Sequence, residues 1–487
     1  MRKIVQKVII FSFVIFFAPQ LAGQMPEPVI DYQKPIIFGQ IEMNNGRPVT
    51  TMSGDSISGF LDEETTAFRV VPMTWNSLNA QLARYISGSE EIGKSIQWLR
   101  TAREIALKCS ERDEFWENRK QAATFRPLLR SAMAARIKEP LLVVTEGPGS
   151  VCAILHPAIM LTRPEDKSGK TLHSLVLIKN TENLSLEQGI KNDFLDLIVA
   201  HEIGHVIMHS LMAAAMKPLN EGKLPHGARK RTNPMLALME GWAIAFEAFL
   251  GQDRKDLNGK PAQLAELPDL VTSRQEPVRR ERYIWVDQDS EKRGRLISGN
   301  EMMAMEGVIA GLFFDILSSR SITASFDKCC EVFACDRPVT FAEFGRAFLR
   351  RFPQDRRVFC RIILENTRCT IMNLDVAGLY RSQYWAKKMY QTGKGSKEAF
   401  SSAEKVYYNF KEKLINEAIS GGDPFYQVGP IVWLQKWQKR VDINSASRQQ
   451  LIDYGLPEKQ VDKFIAARSK NGYFRGNANQ IISEYGE

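Results

Sequence analysis

The chain has 487 residues, of which 25% are charged and 44% hydrophobic. These are globular proportions, and they exclude a disordered or low-complexity chain. Such a length can bury a large core in two or three domains. A formal net charge of +9 permits contact with anionic surfaces and is too small for this length to demand nucleic acid.

Met1-Arg2-Lys3 and Lys7 are basic, the run from Val8 to Ala18 is apolar except for Ser12, and Leu21-Ala22-Gly23 precedes Gln24. This is the pattern of a cleaved signal peptide over 1–23, which sends the mature chain out of the cytoplasm, secreted or periplasmic. The run is shorter than the about 20 apolar residues that span a bilayer. No later segment reads as a membrane span, and no Cys follows Gly23 to take a lipid. Residues 24–74 mix Pro, Gly and Ser with little helical periodicity and read as an extended lead-in with short strands. From Trp75 the spacing turns helical, through Leu78, Leu82 and Ile86, then Ile92, Ile96 and Leu99. Three short strands are expected at Leu141–Val144, Val151–Leu155 and Leu175–Ile178.

Next comes His201-Glu202-Ile203-Gly204-His205, inside an apolar run from Phe194 to Ala215. A helix apolar on nearly every side belongs in a core, where two imidazoles and a carboxylate are costly unless paired or metal-bound. Residues four apart share a helical face, so His201 and His205 can grip one ion. Zinc suits this donor set, leaves a position for water and lowers that water's pKa to about 7. Glu202, beside the face, is placed to take the water's proton and pass it to a leaving amine. His209 is about 12 Å along the helix from His201 and cannot join the same ion.

A third ligand must come from elsewhere. Glu240, in the apolar helical segment Leu238-Met239-Glu240-Gly241-Trp242-Ala243, is the better candidate, and Gly241 leaves room for a neighbouring backbone. The rival is Glu306, in Met305-Glu306-Gly307-Val308. HExxH followed by Glu-Gly-aromatic-Ala resembles the gluzincin branch of zinc metallopeptidases. That resemblance implies His201, His205 and Glu240 as ligands of one zinc ion and Glu202 as the catalytic base. The chain departs from the family in a longer gap, 35 positions from His205 to Glu240, and in having Ile244 where thermolysin types carry Asp. Glu247, two turns on, is a candidate to orient a histidine. Tyr283 and His226 are candidates for stabilising an oxyanion.

The segment from Lys217 to Pro234, rich in Pro and Gly with Arg229-Lys230-Arg231, reads as a loop at the cleft rim. Of seven cysteines, five fall between Cys329 and Cys369, and one or two disulfides are expected there. The Gly/Ser/Lys-rich stretch from Thr392 to Ser402 reads as a domain boundary, followed by a helix from Ala403 to Ala418.

The C-terminal residues Val441-Asp442-Ile443-Asn444, Gly455-Leu456-Pro457, Val461, Phe464, Ile465 and Asn471-Gly472-Tyr473-Phe474 resemble the helix-hairpin-helix module of secreted competence DNA receptors. DNA-binding versions use a Gly-x-Gly hairpin whose N–H groups approach phosphate. Here Pro457 takes the second glycine's place and has no N–H. From Ile431 to Glu487 there are nine Lys/Arg and six Asp/Glu, a weak electrostatic footprint. A protein-docking role is therefore favoured over DNA binding.

The expected fold is α+β. A zincin-like domain over 75–391 combines a small sheet and an active-site helix with a helical second lobe. A linker with a helix (392–440) and a small all-α helix-hairpin-helix module (441–487) follow. The expected function is peptide-bond hydrolysis on a protein or peptide substrate. The alternative is an envelope or DNA-uptake binding protein acting through the module.

Overall fold

The computed structural model describes residues 36–252, 296–436 and 439–485, with internal breaks of which the longer are 53–65, 145–151, 178–194 and 213–227. The signal segment 1–23, His226, Arg229, Lys230 and Tyr283 lie outside the described residues.

Strands β1 (Ile36–Ile41), β2 (Met43–Asn44), β3 (Arg47–Pro48), β4 (Thr50–Met52) and β5 (Thr66–Pro72) come first. Helices α1 (Ser77–Gly88), α2 (Glu90–Cys109), α3 (Asp113–Glu117) and α4 (Arg126–Arg136) follow. Then come β6 (Leu141–Val144), β7 (Cys152–Ile154), β8 (Ile159–Arg163), β9 (Asp166–Leu172) and β10 (Leu175–Leu177). One mixed sheet has the order β7-β10-β6-β1-β5-β8-β9, with β4 also on β5. β1 runs parallel to β6, pairing Ile36 with Leu141 and Phe38 with Val143, and antiparallel to β5. The described strands within 24–74 are thus no lead-in: β1 and β5 lie in the middle of the sheet. Local periodicity misses this, because a parallel pair is closed by a long crossover, here α1 to α4.

The helical body holds α5 (Leu195–Met212), α6 (Pro234–Gly251), α7 (Gly299–Met302), α8 (Glu306–Leu317), α9 (Ser325–Asp336), α10 (Phe341–Arg351) and α11 (Arg356–Asn366). Ser89 caps α2, accepting from the Ile92 N–H at 3.2 Å, and Ile92, Ile96, Leu99, Ala102 and Ala106 form its buried stripe. That stripe packs on α5 and α9; α6 lies between α5 and α8. α6 is long and apolar enough to cross a membrane by composition alone, yet 67% of it is buried inside the fold. One apolar cluster runs from Leu82 to Val428, so the helices after α6 share a core with α2 and α5 rather than forming a lobe of their own.

α12 (Asp375–Gln391) and α13 (Lys397–Ile419) pack as a helical hairpin. The stretch expected to be a domain boundary is the turn of that hairpin. Tyr407, Leu414 and Ile415 of α13 belong to the main core. Gly and Ser serve a tight turn and a linker equally, so composition does not separate the two.

The C-terminal module is not all-α. β11 (Trp433–Lys436) and β12 (Lys439–Asp442) form a hairpin, and α14 (Arg448–Tyr454), α15 (Glu458–Asn471) and α16 (Ala478–Glu484) complete it. Its separate core joins Val432 and Leu434 to Ile443, Leu451, Val461, Phe464 and Ile482, so the module starts about ten residues before the position expected.

The expected disulfides are absent among the described residues. Cys109, Cys329, Cys330, Cys335, Cys360 and Cys369 are free and buried. They pack as small hydrophobes. Burial pushes the Cys360 thiol up to about 11 and that of Cys369 up to about 12.

Candidate metal centre

The helix carrying the HExxH motif, α5, is tied down at both ends. At its start the Asp196 carboxylate accepts from the Leu197 N–H at 2.9 Å and from the Ser89 hydroxyl at 3.1 Å. A carboxylate there complements the positive end of the helix dipole. At its end, carbonyls left without helical partners meet two arginines. Arg119 donates to Leu211 O at 2.7 Å and Arg337 to Met212 O at 2.9 Å. Burial, with Arg337 nearby, pulls Arg119 down to about 9.

Asn233 caps α6, accepting from the Met235 and Leu236 N–H groups, and Pro234 occupies the first turn. α5 and α6 approach closely at Gly204, where a Cβ would meet Ala243 Cα at 3.1 Å. The Trp242 indole N–H donates to Gly204 O at 3.0 Å, a side-chain tie between the two helices. Trp242 is itself fully buried against Phe313 and Phe333, with ring centroids 5.3 and 5.1 Å away. On the other side of α6, a Cβ on Gly241 would lie 2.6 Å from Ile309 Cβ of α8. Gly241 thus gives the neighbouring helix the room that its position beside Glu240 implied.

This packing brings His201, His205 and Glu240 together. His201 Nε2 and His205 Nε2 lie 3.6 and 3.3 Å from the same oxygen, Glu240 Oε2. One ligand atom from each residue lies within 4.8 Å of the others. Donors held at about 2.0–2.1 Å around a tetrahedral ion are separated by about 3.3 Å, so the spacing suits one small cation. The other nitrogen of His201, Nδ1, lies 3.4 Å from Glu247 Oε2, and Glu247 is 1% exposed. An Nδ1–H directed at Glu247 leaves the Nε2 lone pair facing Glu240.

Electrostatics bind the cluster. Burial alone disfavours charge on His201, but Glu240, Glu247 and Glu202 together raise its pKa well above the ordinary imidazole range. Burial likewise opposes the Glu240 carboxylate, and the two histidines outweigh it and hold its pKa well below the usual range. A cation shared by the three residues would replace the proton in both roles. Glu202 is half-buried beside the triad and outside it, close enough to His201 to bias its charge.

Glu306, the rival ligand, is buried at the first turn of α8 and does not join the cluster. His209, one turn beyond His205, also stays out of it. Of the cleft-rim loop, Ala228 and residues 231–234 are described: Ala228 O accepts from the Gly307 N–H at 3.0 Å, and Arg231 forms an isolated bridge with Met305. β7 lies at one end of the sheet and packs beside α5.

Comparison with protein-family models, curated proteins and solved structures finds no match. The chain's chemistry therefore rests on its own residues.

Sequence reasoning missed one group. Glu301 Oε1 lies 3.1 Å from Arg231 Nη1 and 3.2 Å from Arg468 Nη2, while its Oε2 accepts from the Ser298 N–H at 2.6 Å. The second half of this arrangement was legible: Ser298-Gly299-Asn300-Glu301 fits the capping-box pattern, and the box is formed. In the module hairpin, Gly455 takes φ +112°, and its N–H bonds Ile452 O at 2.8 Å. Leu456 N–H bonds Leu451 O at 3.1 Å. Both hairpin donors are thus used internally, and Pro457 adds none.

Proposed function

We propose that this chain is a zinc-dependent peptidase of zincin type, gluzincin-like in its ligand set, acting outside the cytoplasm on protein or peptide substrates. His201, His205 and Glu240 hold one zinc ion, and Glu202 is the general base. The observation that carries the reading is the convergence of both imidazole Nε2 atoms on one oxygen of Glu240, in a buried helix pair with a further carboxylate alongside. A structural site has no use for that extra carboxylate.

Zinc bound there supplies a Lewis acid that polarises the scissile carbonyl and acidifies water. Glu202 accepts a proton from the attacking water and delivers it to the departing amine. Glu247 keeps the His201 ring in the tautomer and orientation that present Nε2. Among the described strands β7 is the outermost at its end of the sheet, and its outer edge offers backbone donors and acceptors to an extended peptide. The C-terminal module serves docking or structure rather than DNA binding, since its hairpin N–H groups are already engaged.

The test is metal content by elemental analysis together with hydrolysis of casein or a peptide mixture. Wild type should hold one zinc per chain and lose activity on chelation. Glu202→Gln should keep the metal and lose at least about a hundredfold in rate. Full activity in Glu202→Gln, or no metal in wild type, overturns the reading.

A further inference from the structure

The tip of the α12–α13 hairpin carries charge and apolar surface that neither the core nor the metal centre uses. The chain has no acidic residue between Asp375 and Glu398, but it has Arg381, Lys387, Lys388, Lys394 and Lys397 there. These five charges sit in 22 positions of a chain whose whole net charge is +9. All five residues are exposed. On the same tip Trp385, Met389 and Tyr390 are 38%, 42% and 42% exposed.

The tip has a defined shape. Lys388 Nζ lies 4.9 Å above the Trp385 ring, and Tyr390 stacks on Phe400 of α13 with centroids 6.0 Å apart. Gly393 takes φ +70° in the turn, and the Lys394 N–H bonds back to Met389 O at 2.9 Å. The turn is thereby folded against the end of α12 that bears the exposed Met and Tyr.

We propose that this tip seats the protein on an anionic phospholipid bilayer. A merely solvated face mixes charges of both signs and keeps large apolar groups covered. Here five positive charges and a single acidic residue, Glu398, flank three large, partly apolar side chains. Trp and Tyr rings suit the headgroup region, where one end is apolar and the other wet. Lysines can bury their stems there and keep their ammonium groups among lipid phosphates. Single-stranded nucleic acid is bound along grooves with successive stacking platforms, whereas residues 387–399 are two exposed helix ends joined by a tight turn at a hairpin tip. The inference rests on this surface alone and stands or falls apart from the peptidase reading.

The experiment is co-sedimentation of the full chain with vesicles of phosphatidylcholine alone and of phosphatidylcholine mixed with phosphatidylglycerol. The N-terminal apolar segment contributes to both, so the readout is the increment on the anionic vesicles. Wild type should bind these at least about tenfold more tightly, and salt at about 0.5 M should remove the increment. Lys387→Glu, Lys388→Glu, Lys394→Glu and Lys397→Glu combined should abolish it. Trp385→Ala should remove the quenching of tryptophan fluorescence by brominated anionic lipid. These positions are exposed, and unchanged thermal melts will show that the variants fold. An equal increment in the lysine variant, no anionic preference in wild type, or binding confined to an oligonucleotide probe overturns the proposal.

Discussion

Arg468 Nη2 lies 3.2 Å from Glu301 Oε1, with both side chains buried, and this contact joins the C-terminal module to the body that holds the candidate metal centre. Arg231 shares the same oxygen at 3.1 Å and stands two residues before Asn233, the cap of the helix bearing Glu240. Arg231 also donates to Ser445 O, and the Gln450 side chain donates to Arg231 O. Removing one partner of such a group leaves buried charge without compensation, at a cost of about 3–5 kcal/mol. Glu301→Gln should therefore lower unfolding free energy by about 3 kcal/mol in denaturant melts. It should also weaken metal retention, because the start of α6 loses its anchor. A melt within about 0.5 kcal/mol of wild type, the range of ordinary surface substitutions, would show that the contact carries no load.

The role proposed for Glu247 is exerted through His201, whose Nδ1 lies 3.4 Å from Glu247 Oε2. Glu247→Gln retains the size of the side chain and removes its charge. Metal affinity should fall by about 10- to 100-fold, read by competition with a chromogenic chelator. Glu247→Asp should restore part of the loss if the carboxylate is what matters. An unchanged affinity in Glu247→Gln would leave the residue as core filling.

Gly241→Ala would bring a methyl to within 2.6 Å of Ile309 Cβ, so α6 and α8 must separate. Overpacking of this kind costs about 1–3 kcal/mol. Ile309→Gly in the same chain, which removes both the Cβ at 2.6 Å and the Cγ2 at 2.7 Å, should relieve the clash. The double mutant should then be more stable than the sum of the single effects predicts, a coupling that thermal melts of the four chains can measure.

The six described cysteines are buried and unpaired. In native protein at neutral pH, a thiol reagent should label at most the remaining one, Cys152, within minutes. All seven should react after denaturation without prior reduction. Fewer than seven would indicate disulfides that form after folding.

The clustering of His201, His205 and Glu240 was legible because the pattern behind it is local. Four-residue spacing sets a helical face, and a carboxylate in an apolar segment needs a partner wherever the chain leads it. Choosing Glu240 over Glu306 needed more than local pattern, since both precede a glycine in an apolar helix. What decided it in three dimensions is that α6 packs directly on α5, while Glu306 sits at the start of the next helix outward. The central strands β1 and β5 were not legible as such, because their parallel partners β6 and β8 lie about a hundred residues away, beyond any local period. The cysteine reading erred because number and spacing say nothing of where a thiol points. Cys329, Cys330 and Cys335 all face the apolar core from α9.

The indole bridge from Trp242 to Gly204 O has a thermodynamic corollary. It joins the two ligand-bearing helices through groups that never touch a cation, and apolar packing completes the join. The cluster of His201, His205 and Glu240 is therefore assembled by packing alone, unlike small domains that collapse only on metal uptake. Chelation should leave circular dichroism intact and lower the melting temperature only by the mass-action increment of a bound ligand.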